Sequence, residues 1–517
     1  MQLRVPPGIR SWLSFKALRW LNPDKLISGL LYVALVNCFV VYFTQGGYDV
    51  RLGPIHLHAY LPRNWLLLCL GLALLKPLMK TRQVAALVAE WMRSALLLFL
   101  IVISAYYGLH NGVLHEAGDT MPARLLPFSL IRELDFDLNE FRVLDNYRDQ
   151  YFVARYQGHV IPAYPPWVGV LATPVYAIPV LRGASADDVM TVNDLERRAA
   201  ALITAASVIV LFFTLRRLTR LNIAWLVSIV YAFGTSSFST SSQALWQHGP
   251  SQLFLTLTLY CLVRGLHEPR FDTYAIAALG FAVLVRPLNL VMALPIVLYV
   301  LLARRRLTGV LLAASGPLLV FMVYNTLHFG SPFTTDFGGT VVTPSSLVGT
   351  HLSWFNTPIL EGIAGILVSP SRGLLVYSPI LVFAFAEMAR SWRRANAWLL
   401  KYLSVAPLLL FIPVATVGKW WGGWGYGPRL LTDATPILCL FLYPVFEQAG
   451  RRGWLKWTLG GLAALSIMLH AIGAYNDFSW NNDPMHIDYD PKKLERLWSW
   501  TNSPPVYYLK KWLLTSP

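Results

Sequence analysis

The sequence predicts an all-α, polytopic membrane protein. Of its 517 residues 55% are hydrophobic and only 14% are charged, and its mean hydropathy is +0.48. A soluble chain of this size carries about a quarter charged residues. Apolar runs suited to helices in a ~30 Å hydrocarbon layer recur from Leu26 to Ala474.

The candidate spans are 26–44, 64–79, 94–110, 198–214, 222–237, 251–264, 273–285, 288–302, 307–326, 373–389, 398–417, 431–446 and 456–474, about 13 in all. Basic residues orient them, because Lys and Arg collect in cytoplasmic connections. Arg4, Arg10, Lys16 and Arg19 place the N-terminus inside, and Lys76, Lys80, Arg82 and Arg93 mark the second inner connection. "RRLTR" (216–220), "ARRR" (303–306), "RSWRR" (390–394) and "GRRGWLK" (450–456) follow in step. The segment 165–181, "PPWVGVLATPVYAIPVL", is apolar but short and rich in proline. Counted as a span it would turn every later basic cluster outward, so it reads as a re-entrant or interfacial element on the outer side.

This bookkeeping divides the chain into residues 1–92, an N-terminal segment with two spans; 93–474, a membrane core; and 475–517, an extracytoplasmic tail. The outward loops of the core are 111–195, 327–372 and 418–430. No compact apolar stretch with a small-residue cleavage site marks a removable signal, so the first span is expected to act as an anchor. The formal charge of +16 lies in short inner connections and is a topology signal, not a nucleic-acid footprint. Cys38, Cys69, Cys261 and Cys439 all lie inside apolar runs, where they read as packing residues and not as disulfides or metal ligands.

Chemistry is expected on the outer face. In "EAGDTMPARLLPFSLIRELDFDLNEF" (116–141), Asp119 comes shortly after a span. A carboxylate there can accept a proton from a reacting hydroxyl; the same residue could instead cap the helix that "GDTMPAR" begins. Asp135 and Asp137 are secondary candidates, as is His248 in "SSQALWQHGPSQ" at the outer end of a span. Arg286 lies in "AVLVRPLNLV", Arg372 in "LVSPSRGLLVYSPI" and Arg429 in "WGYGPRLLTD". Guanidinium forks match phosphate oxygens, and a charge inside an apolar hairpin, such as Arg286, needs a partner. The obvious structural alternative for Arg429 is an ion pair with Asp433 at helical spacing. The run "KWWGGWGYGPRLLTDATP" (419–436) joins Lys419 and Arg429 to Trp420, Trp421 and Trp424. Tryptophan favours the membrane interface, aromatic faces stack on sugar rings, and glycine lets backbone amides approach an anion. Tyr164, in the "YPP" turn, belongs to the same candidate surface.

In order along the chain, "GDTMPARLLPFSLI", "GHVIPAYPPWVGVLATPVYAIP", "LWQHGP", "VRPLN", "FGSPF", "LVSPSRGLLVYSP" and "WWGGWGYGPRLLTDATP" cover about 110–436. The chain resembles bacterial GT-C-fold glycosyltransferases, integral-membrane enzymes that use polyprenyl-phosphate sugars. The resemblance implies a GT-C-like bundle with an outer catalytic loop and re-entrant or interfacial helices. It also implies an acidic catalytic base in the first large periplasmic loop, where Asp119 is the matching position. Cationic residues would hold the donor phosphate, with Arg286, Arg372, Arg429 and Lys419 as candidates. Trp420, Trp421, Trp424 and Tyr164 would contact sugar or lipid. The acidic loop here follows the third span instead of the first, so 26–44 and 64–79 read as an addition to an eleven-span core.

The expected function is transfer of a sugar, with inversion, from a polyprenyl phosphate to a periplasmic hydroxyl on a glycan, lipid or protein. The setting implied is a bacterial cytoplasmic membrane with the active site outside. No cofactor is called for, and metal use is left open because Asp119 lacks an adjacent acidic partner. Two other classes remain: a flippase or transporter of lipid-linked saccharides, and a non-catalytic assembly subunit.

Overall fold

A computed structural model describes residues 48–52, 55–59, 86–109, 117–147, 151–333, 335–337, 340–342, 355–450 and 452–515. The expected spans 26–44 and 64–79, with Cys38 and Cys69, lie outside the described residues. The chain divides into two compact units, residues 1–50 with 58–100 and residues 51–57 with 101–517. The second contains every candidate site residue.

The described chain is mostly helical. The helices are α1 (Ala86–Ile103), α2 (Met121–Arg132), α3 (Trp167–Leu181), α4 (Val189–Leu218), α5 (Leu221–Phe233), α6 (His248–Gly265), α7 (Arg270–Val285), α8 (Leu290–Leu298) and α9 (Leu307–Phe329). They continue with α10 (Ile359–Val368), α11 (Leu374–Tyr377), α12 (Val382–Ser391), α13 (Trp398–Thr416), α14 (Thr435–Leu440), α15 (Tyr443–Ala449), α16 (Gly453–Ala474), α17 (Lys493–Trp498) and α18 (Pro504–Thr515). The strands are short: β1 (Tyr48–Leu52), β2 (Ile55–Ala59), β3 (Val153–Tyr156), β4 (His159–Pro162), β5 (Thr335–Phe337) and β6 (Thr340–Val342). β3 pairs antiparallel with β4, and β5 with β6.

By length and composition, four described helices can cross a membrane: α4, α9, α13 and α16. A fifth span is available if Arg429–Leu440 and Tyr443–Ala449, bent by 47°, count as one. The expected count of thirteen therefore does not follow from the described helices. Expected spans 222–237, 288–302 and 431–446 form shorter or broken helices. Span 373–389 is interrupted by the turn Pro379–Leu381, where proline removes a backbone donor. α3 has 15 residues and two internal prolines, Pro174 and Pro179. At 1.5 Å per residue it reaches about 22 Å, too short for a ~30 Å core.

α4 positions the site. Its 30 residues begin at Val189, ahead of the expected span, so part of the loop expected over 111–195 is helical. The Asp188 carboxylate caps it, accepting from the Met190 amide at 3.1 Å and the Thr191 hydroxyl at 2.6 Å. Arg216 and Arg217 occupy its last turn, where cations suit the helix dipole. Against α4 pack α3, α5 and α6, while α2 packs on α3. The apolar faces of α2, α3 and α4 share a core with Leu126, Phe128, Val168, Tyr176 and Ala199.

Candidate active site

Asp119 lies in a single 3-10 turn, Gly118–Thr120, that leads into α2. Pro122 in the first turn of α2 needs no amide partner. Neither helix start is capped by a side chain, so the capping role open to Asp119 in the sequence is not the one it takes. Its carboxylate faces Arg429, whose Nη1 donates to Oδ2 at 2.6 Å. The Tyr151 hydroxyl donates to Oδ1 at 2.7 Å and the Tyr164 hydroxyl at 3.3 Å. The β3–β4 ribbon brings both tyrosines over the turn. Gly118 is required there, because a Cβ would lie 2.7 Å from the Phe152 ring.

Burial would raise the Asp119 pKa, but the Arg429 charge and the three hydrogen bonds outweigh it and hold the carboxyl below its ordinary 3.8. Asp119 is therefore ionised at neutral pH. Burial, then the neighbouring carboxylate, push Tyr151 and Tyr164 well above the usual phenol range, so both stay protonated donors.

The loop carrying Arg429 is irregular, as its glycines require. Gly422 sits at φ +75°, a conformation that L side chains rarely adopt, and its carbonyl accepts from Arg429 Nη2. The Trp246 ring lies 4.3 Å from the guanidinium carbon, a cation–π contact. Arg429 Nε is buried without a hydrogen-bond partner.

Asp433 does not pair with Arg429. It takes Arg286 Nε at 2.8 Å and His248 Nδ1 at 3.0 Å. This gives Arg286 the partner its apolar setting demands. It also buries His248, expected at an outer span end, to 2% exposure. Arg372 is equally committed. It donates to the Trp421 and Gly423 carbonyls at 2.9 and 3.2 Å, to the Ser371 carbonyl at 3.2 Å and to Asn481 Oδ1 at 2.8 Å.

The tryptophans are packed, not splayed. Trp420 and Trp421 are buried; Trp420 lies against Trp498, and the Trp421 indole donates to Asp488 at 3.0 Å. Lys419, well exposed, also pairs with Asp488 at 3.0 Å. Trp424 is half-buried and stacks on His486. Asp135 accepts from the Ser129 hydroxyl at 2.8 Å, and Asp137 pairs with His159 at 2.8 Å. Neither shares a partner with Asp119. Among the described residues, no group of three or more His, Cys, Asp or Glu side chains is placed to hold a metal ion.

Each member of the Asp119–Arg429 pair lines a small crevice. One, of about 10 Å³, is lined by Asp119, Tyr164 and Gln247 with Pro122, Pro162 and Leu245. The other, also about 10 Å³, is lined by Arg429, Arg372, Trp420, Trp421 and Leu431. A carboxylate thus faces the first space and a guanidinium the second. This arrangement can accept a proton on one side and hold an anion on the other. Sequence reasoning missed Tyr151, Trp246 and the true partner of Asp433. Two lone opposite charges in separate apolar runs, Arg286 and Asp433, were a signal for the last.

Residues 194–328 match the family model described as dolichyl-phosphate-mannose-protein mannosyltransferase, well under half of the chain. No curated protein sequence matches the chain. Among solved structures it is similar to the Archaeoglobus fulgidus oligosaccharyltransferase in complex with zinc and sulfate. That match has a TM-score of 0.47 and 14% identity, over 80% of this chain and 57% of that one. The same enzyme tethered to an acceptor peptide containing the NVT sequon matches with a TM-score of 0.46 and 12% identity, over 81% and 59%. The chain thus spans less than two thirds of the length of these structures.

Proposed function

We propose that this chain is a membrane glycosyltransferase that moves a sugar from a polyprenyl phosphate to a hydroxyl acceptor, with inversion, on the periplasmic side of a bacterial cytoplasmic membrane. One observation carries the reading: an ionised carboxylate and a guanidinium are joined, each lining its own crevice, on loops between apolar helices.

The acceptor hydroxyl enters the crevice lined by Asp119, and its oxygen attacks the anomeric carbon from the face opposite the phosphate. The carbon–oxygen bond to the phosphate breaks, and its electron pair leaves with the phosphate. The hydroxyl proton passes to an Asp119 oxygen. Arg429 turns toward the phosphate oxygens as their charge grows, its unpartnered Nε supplying a further donor. Before the donor arrives, Arg429 keeps Asp119 ionised. Arg286 and Arg372 support the frame, since their guanidinium groups are engaged by Asp433 and by loop carbonyls.

The test uses the full chain in lipid nanodiscs, with a panel of polyprenyl-phosphate sugars and glycan, lipid and peptide acceptors. Wild type transfers sugar from one donor of the panel. Asp119→Asn loses roughly 10²–10⁴-fold in turnover, the worth of a general base, while tryptophan fluorescence still responds to polyprenyl phosphate. Retention of more than about a tenth of turnover removes Asp119 from the role of base.

A further inference from the structure

We infer that Glu196 is a positioning residue that holds Asp119 and Arg429 in register; the inference rests on that pair being the reaction centre. Glu196 lies near the start of α4, is 3% exposed and lines neither crevice. It therefore does not touch substrate. A carboxylate buried that deeply must be hydrogen-bonded and charge-balanced, and the groups that satisfy it come from both halves of the site.

On one side Glu196 Oε2 lies 3.6 Å from Arg124 Nη1 on α2, the helix into which the Asp119 turn leads. Arg124 Nη1 also donates to Asn193 Oδ1 at 2.7 Å. Asn193 and Glu196 are three residues apart and share a face of α4, so the two grip one guanidinium. On the other side Glu196 Oε1 accepts from the Leu245 amide at 3.0 Å. Leu245 directly precedes Trp246, whose ring covers the Arg429 guanidinium.

The contacts form one chain: Asp119 to Arg429, to Trp246, through Leu245 to Glu196, and on to Arg124 of α2, the helix into which the Asp119 turn leads. One buried carboxylate sets the distance between the turn that carries the base and the segment that braces the guanidinium. Buried ion pairs contribute little net stability compared with apolar packing of the same volume. The worth of Glu196 is in geometry, where a displacement of 1 Å costs on the order of 10²-fold in rate.

Three variants are measured in the nanodisc transfer assay beside an Asp119→Asn control. Glu196→Gln keeps an oxygen for the Leu245 amide but loses the charge facing Arg124; turnover falls by about tenfold. Glu196→Ala loses both contacts and falls by about 10²-fold. The double variant Arg124→Met with Glu196→Met removes both charges together, so neither is left buried without the other; it too loses about 10²-fold. In all three the fluorescence-detected affinity for polyprenyl phosphate stays within about twofold of wild type, because the loss is in turnover and not in donor binding. Wild-type turnover in the folded fraction of Glu196→Gln and of the double variant, with Asp119→Asn inactive, overturns this inference alone. An active Asp119→Asn overturns the reading beneath it.

Discussion

Two acid–arginine pairs each draw one member, Arg429 or Asp433, from the same loop-to-helix segment, yet they are built for different ends. Asp119 and Arg429 have side chains 21% and 11% exposed and open onto crevices. Asp433 is fully buried, braced by Arg286 and by His248. Both solve the same electrostatic problem of placing charge beside apolar helices. The two arginines are about equally exposed, and it is the Asp119 carboxylate, unlike that of Asp433, that a third party can reach. The lesson is that access, and not the presence of a paired charge, separates a reactive centre from a staple.

Breaking the staple has the larger expected effect on folding. Asp433→Ala leaves Arg286 buried without its partner, a loss of about 3–5 kcal/mol. Thermal unfolding and yield fall accordingly, while the folded fraction keeps its affinity for polyprenyl phosphate. Reduced affinity with normal stability would erase the distinction between the pairs.

Arg429→Ala gives the complementary result. Donor affinity drops by about 1.5–3 kcal/mol, the net worth of a charged hydrogen bond, as read by fluorescence titration. Arg429→Lys recovers part of this, because an ammonium lacks the planar fork. Unchanged affinity in Arg429→Ala would reduce this pair to a second staple.

The pH dependence sharpens the contrast. Asp119 is held below 3.8 chiefly by Arg429, against a burial effect that raises it. A carboxyl depressed in the folded state stabilises above its unfolded pKa and loses that contribution as pH falls through the folded value. Arg429→Gln removes the main lowering influence and leaves burial, so the acid limb of the turnover profile moves toward neutral pH. A limb that stays in place would show that Asp119 does not govern it. The smallest effect belongs to Lys419→Ala. Its exposed pair with Asp488 is worth about 0–1 kcal/mol, and donor affinity and unfolding should barely move.

The fold class was legible because hydropathy acts on every residue, and Asp119 and Arg429 were legible because each sits in a distinctive local run. Their direct contact was not, since 310 positions separate them. The pairing of Arg429 with Asp433 failed for a local reason. Residues 429–434 form a 3-10 helix, in which positions i and i+3 eclipse, so the i+4 carboxylate points away. Tyr151 carried no local signal, because its role comes from the β3–β4 ribbon folding over Gly118. The tryptophans are expected from sequence to contact sugar or lipid, but tail residues Trp498, Asp488 and His486 pack against them, which no neighbouring motif reveals.

That cover sets an order of events during biosynthesis. Arg372 ties the tryptophan loop to Asn481, and Asn481 returns a bond to the Gly425 carbonyl at 3.1 Å. The Ser369 hydroxyl reaches the Leu497 carbonyl at 2.7 Å. Every helix from α1 to α16 precedes these tail residues along the chain, so the ribosome delivers the loop's last anchors after the helices themselves. The tail thus supplies the loop's last anchors along the chain, whereas Arg429 itself is held by Asp119, Gly422 and Trp246, all of which precede the tail.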